Sequence, residues 1–81
     1  MQPEEITTLN LLPIDKSARV LNINCDKILR RRLFDLGLIR GTVIKALYKS
    51  PRSDPTAYLI RGAVIALRCD DTKNIEIILS D

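Results

Sequence analysis

The side chains able to do bond chemistry or hold a metal in this chain are few. Cys25, Cys69, Asp70 and Asp71 are the main group, with Asp54 a further carboxylate in a loop. Thiolates and carboxylates are metal ligands, yet C-D-D at 69–71 is not a ligand spacing, and neither cysteine has a second one two residues away. Histidine is absent, which removes both the usual general base and the usual transition-metal ligand. No serine therefore has a histidine to activate it, and no G-x-x-x-x-G-K-[ST] phosphate loop occurs. The metal ligands are left unspecified, no cofactor is required, and the chain is not expected to be an enzyme.

The remaining charged chemistry is basic. Arg30, Arg31 and Arg32 are consecutive and Arg40 follows ten residues after Arg30. Successive helical positions are ~100° apart, so three adjacent arginines fan out and cannot track one phosphate rail. Arg32 is expected to lie along the apolar stripe of its helix, bonding a carbonyl or carboxylate. Arg30, Arg31 and Arg40 are then left as a basic surface open to a protein partner.

Those arginines must be positioned by a helix. In K-I-L-R-R-R-L-F-D-L, Leu29, Leu33 and Leu36 are four and three apart, which predicts one apolar face over about residues 27–36. Asn24 or Asp26 can cap its start, and Gly37 stands where a left-handed residue ends it. Strands are predicted at Ile6 to Leu12, stopped by Pro13, and at Ala18 to Ile23. A third runs from Thr42 to Lys49, reached through a turn at Gly41. Ser50 to Pro55 is a loop, turning through Asp54, and Pro51, Arg52, Asp54 and Pro55 are its candidate partner-contacting residues. The segments 57–60 and 63–68 flank Arg61-Gly62 as a hairpin, and Asn74 to Leu79 alternates as a last strand after a C-D-D-T-K turn. Six short strands and one helix in 81 residues predict a mainly β fold that closes as a small barrel and so protects its edges.

The totals agree with a single domain over residues 6–81, preceded by a flexible leader at 1–5. Thirteen basic and ten acidic residues leave a net charge of +3, well short of a dedicated nucleic-acid surface, and the aromatics are only Phe34, Tyr48 and Tyr58. No nucleic acid is expected as partner. No run approaches the ~18 apolar residues of a membrane span and the N-terminus lacks a signal-peptide pattern, so a reducing, cytoplasmic setting is expected.

One ordered series of residues resembles a known family. Leu29, Arg32, Leu33, Asp35, Leu36, Gly37, Leu38 and Gly41 are followed by Pro51, Asp54 and Pro55, then by Gly62, Ile65, Ala66, Leu67 and Arg68, and finally by Ile75 and Ile77. This pattern is similar to the FeoA family, ferrous iron transport protein A, over roughly Leu9 to Leu79. The resemblance implies a small SH3-like β-barrel with one inserted α-helix, in which Leu29, Arg32, Leu33, Leu36, Gly37, Gly41, Gly62, Leu67 and Arg68 are structural. It also implies an accessory role in iron homeostasis through contact with the cytosolic portion of an FeoB-type ferrous iron permease, peripheral to the membrane only through that partner. Transition-metal binding, ferrous iron above all, belongs to the same implication, without named ligands. Many relatives carry Pro-Gly before the third strand, where this chain has Arg40-Gly41, and a second early glycine, where it has Ile14. Two other readings remain: a nucleic-acid-binding barrel, and a metal-sensing domain like the C-terminal barrel of iron-dependent repressors. Oligomeric state is unassigned.

Overall fold

A computed structural model of the chain describes residues 5–80. Six strands, β1 (Ile6–Thr8), β2 (Ser17–Ile23), β3 (Val43–Lys49), β4 (Thr56–Ile60), β5 (Ala63–Leu67) and β6 (Ile75–Ser80), form one antiparallel sheet in the order β1-β6-β2-β3-β4-β5. Two α-helices, α1 (Lys27–Asp35) and the short α2 (Cys69–Thr72), punctuate it.

The leader expected at residues 1–5 lies outside the described residues except for Glu5, whose carbonyl accepts the Leu79 N–H at 3.0 Å and so already joins the sheet. The first predicted strand ends early. Leu9–Leu11 is a 3-10 turn, and it carries the buried Leu9 beneath the sheet. The Tyr58 hydroxyl donates to the Leu9 carbonyl at 3.5 Å, linking this turn to β4. The C-D-D-T segment, expected as a plain turn, winds into α2. Its first-turn amides need partners, and the Asp54 carboxylate accepts the Cys69 N–H at 2.8 Å.

Alternation explains the core. Ala18 and Val20 on β2, Ile44 and Ala46 on β3, Tyr58 and Ile60 on β4, and Ile75 and Ile77 on β6 are two apart and point to one side, where all are buried. Leu33 of α1 and Leu38 just after it cover the same interior. The Arg61-Gly62 connection has both residues at positive φ (50° and 84°), the two-residue turn whose twist suits a hairpin.

Candidate functional site: a basic apolar groove

The helix that carries the arginines is fixed at both ends. Asp26 is its N-cap, with Oδ1 accepting the Leu29 N–H at 2.8 Å, as its side chain allows and Asn24 does not here. At the far end, the Leu38 N–H reaches the Leu33 carbonyl at 2.8 Å and the Gly37 N–H reaches the Phe34 carbonyl at 2.9 Å. That paired closure requires a left-handed residue between them, and Gly37 has φ 90°. The turn reverses the chain so that Leu38 drops into the core beside Leu33. Leu36, expected on the buried stripe, is 41% exposed for the same reason: the helix stops at Asp35 and Leu38 takes the inward place.

The turn into β3 is pinned in turn. The Gly41 N–H donates to the Val20 carbonyl at 2.7 Å, and the Val20 N–H donates to the Thr42 carbonyl at 2.9 Å. The Thr42 hydroxyl donates to the Gly37 carbonyl and accepts the Ile39 N–H, both at 3.2 Å. Opposite, the β2–β6 register shifts between Val20 and Asn22. A bulge of this kind takes a residue out of the ladder and re-aims its side chain, and here it leaves Leu21 facing α1.

Between α1, β2 and this turn lies a groove of about 310 Å³. Leu21, Ile23, Phe34, Leu38 and Ile39 make its apolar surface, and Arg30 and Arg40 bring guanidinium groups to it. Phe34 also borders a second hollow of about 250 Å³, shared with Lys27, Arg30 and Arg31. The spacing of 27, 30, 31 and 34 is one helix face, the one turned away from the core.

The arginines divide their roles differently from the sequence expectation. Arg30, expected to project to solvent, donates from Nη2 to the Ile23 carbonyl at 3.0 Å. Arg32, expected to make such a bond, is exposed; its carbonyl accepts the Leu36 N–H at 3.1 Å, and its guanidinium makes no such bond among the described residues. The cause is angular: position 30 faces the end of β2, whereas position 32 points away from it. Arg31 is 4.0 Å from Asp35 across one turn, both exposed, a pair worth little in water. Arg68 is likewise exposed, and it serves α2 through its backbone, its carbonyl accepting the Asp71 and Thr72 amides. Leu29 and Leu67 pack on the core as expected.

Pro51, Arg52, Asp54 and Pro55 do not join the groove. They follow Lys49 at one end of β3, while Arg40 precedes Val43 at the other, about 20 Å away along a strand of this length. The loop turns through Ser53, at φ 68°, not Asp54, whose carboxylate is committed to α2. Cys25 is half-buried beside α1. Burial pushes its thiol above the ordinary value of 9.0, with the Arg30 guanidinium pulling the other way. Among the described residues no three Cys, Asp or Glu side chains converge, and Cys69 is exposed.

Sequence reasoning named the cations and missed the apolar surface between them. Its signal was Phe34, a large aromatic off the Leu29–Leu33 face but four residues from Arg30, where a solvated helix face has no need of one.

Comparison with known proteins adds four observations. The family model of the FeoA domain matches residues 7–79. A provisionally named Fe(2+) transport protein A of Campylobacter jejuni is 31% identical over 70 residues, covering 86% of this chain and 95% of that protein. The fold is similar to the solution structure of FeoA from Chlorobium tepidum, with a TM-score of 0.88 at 29% identity, covering 93% of this chain and 71% of that one. It is also similar to FeoA of Stenotrophomonas maltophilia, an SH3 domain protein solved with zinc, with a TM-score of 0.71 at 26% identity over 91% of this chain and 89% of that one.

Proposed function

The chain belongs to the FeoA family, a ferrous iron transport family with an SH3-like barrel fold, and from that premise we propose that it acts without catalysis, by docking on the cytosolic portion of an FeoB-type ferrous iron permease. The observation that supports this reading is the groove between α1 and β2, an apolar surface with Arg30 and Arg40 beside it. Apolar area supplies affinity and guanidinium groups supply orientation and association rate, which is the division of labour of a recognition surface. Among the described residues the groove is lined by apolar side chains, Asn22 and two arginines, a composition suited to recognition.

The fold presents this surface rigidly. A closed helix C-terminus, a bulged strand and a turn with four cross-bonds fix its three walls, so docking costs little ordering entropy. No helix among the described residues is long and apolar enough to cross a membrane, and the protein would reach the bilayer through its partner, from the cytoplasm.

Titration calorimetry of the full chain with the cytosolic portion of the permease, at physiological and at high salt, tests the reading, with a random RNA oligomer alongside. Saturable binding to the permease that weakens modestly with salt is the expected result. Binding to RNA alone, collapsing steeply with salt as counterions are released, would make this a nucleic-acid barrel instead.

A further inference from the structure

We infer that the groove takes an amphipathic segment of the partner protein in which apolar side chains are flanked by carboxylates. The inference rests on the permease-docking reading and adds the chemistry that is recognised.

Phe34 is 62% exposed and sits between the two hollows, with Lys27, Arg30 and Arg31 on one side and Ile39 and Arg40 on the other. A largely exposed aromatic at the edge of an apolar groove, with cations around it, is the usual form of an interface anchor. Among the described residues no carboxylate lines either hollow. The field there is positive, and of these cations only Arg31 has an ion-pair partner among the described residues, Asp35 at 4.0 Å. A partner bringing cations would desolvate like charges against each other, whereas carboxylates would find guanidinium donors in place.

Arg30 is pre-set for this. Its Nη2 bond to the Ile23 carbonyl holds the guanidinium beside the groove, with further N–H donors of the planar fork left for a carboxylate. The shape argues for a protein segment over an anionic bilayer. The groove is concave, walled by α1, β2 and the turn into β3, and side chains inserted from a helix or strand can fill such a hollow where a flat surface cannot.

Three fluorescein-labelled peptides, each with leucines at helical spacing and glutamate, glutamine or lysine at every other position, test the inference by anisotropy against the full chain. The glutamate peptide should bind, the glutamine peptide more weakly and the lysine peptide not at all. Phe34→Ser and Arg40→Glu, both at exposed positions, should each weaken the glutamate peptide at least about tenfold, while leaving the urea midpoint unchanged. Equal binding of the lysine peptide, indifference to Phe34→Ser, or Phe34-dependent binding to phosphatidylserine vesicles with no peptide binding would overturn it. The same variants against the cytosolic portion of the permease separate the two levels. Permease binding that ignores Phe34→Ser removes this inference and keeps the docking reading; peptide binding at the groove without permease binding keeps the inference and removes that reading.

Discussion

The Cδ of Arg61 lies 2.6 Å from where a β-carbon on Gly37 would sit. The hairpin turn of β4–β5 therefore lays its arginine over the residue that closes α1, so the missing side chain of Gly37 serves both the left-handed backbone and this close approach. Gly37→Ala should cost about 1–3 kcal/mol from backbone strain, more if Arg61 fails to move aside. Adding Arg61→Ala should recover only the steric part. A urea double-mutant cycle reads the coupling directly, and full recovery in the double variant would mean that the backbone conformation is not the constraint.

Leu33 is 1% exposed and its carbonyl also receives the Leu38 amide, so it anchors α1 from both sides. Leu33→Ala should cost about 2–5 kcal/mol in a chemical melt. A loss below about 1 kcal/mol would mean that the helix packs elsewhere.

Asp54 caps α2 from fifteen residues away. Asp54→Ala should lower stability by about 0.5–2 kcal/mol and speed amide exchange at Cys69, with permease affinity unchanged. A drop in affinity without a drop in stability would return this loop to the docking surface.

Burial raises the Tyr58 phenol above its ordinary value of 10.0. The native state thus holds the neutral form, and the unfolded chain ionises first as pH rises. The stability contributed by neutral Tyr58 is fully present below pH 10.0 and is lost as pH climbs through the raised native value. Tyr58→Phe should cost about 0.5–1.5 kcal/mol near neutrality and flatten the alkaline limb of a stability-against-pH curve. A variant with the same alkaline slope as the parent would assign that slope to other groups.

The elements were legible wherever local chemistry and period agreed. Leu29, Leu33, Asp26 and Gly37 mark α1 and its two ends, and Arg61-Gly62 marks the hairpin. What escaped was tertiary in origin. Leu9–Leu11 reads as strand from its leucines, and it is the need to fill the barrel beneath Tyr58 that bends it into a turn. The C-D-D-T segment becomes a helix because a distant carboxylate satisfies its first amide. The site was half legible: Arg30 and Arg40 stand out as cations, but only the bulge at Leu21 and the reversal at Gly37 create the apolar surface between them. The bond from Arg30, assigned by pattern to Arg32, depends on where β2 ends relative to the helix, which spacing alone does not encode.

An amide NMR titration of labelled protein with the cytosolic portion of the permease, at physiological salt, tests the groove most directly. Docking at the groove predicts shifts at Leu21, Ile23, Arg30, Phe34, Ile39 and Arg40, with Arg52 and Ser53 unmoved. Shifts confined to the Ser50 to Pro55 loop, or none at all, would contradict it.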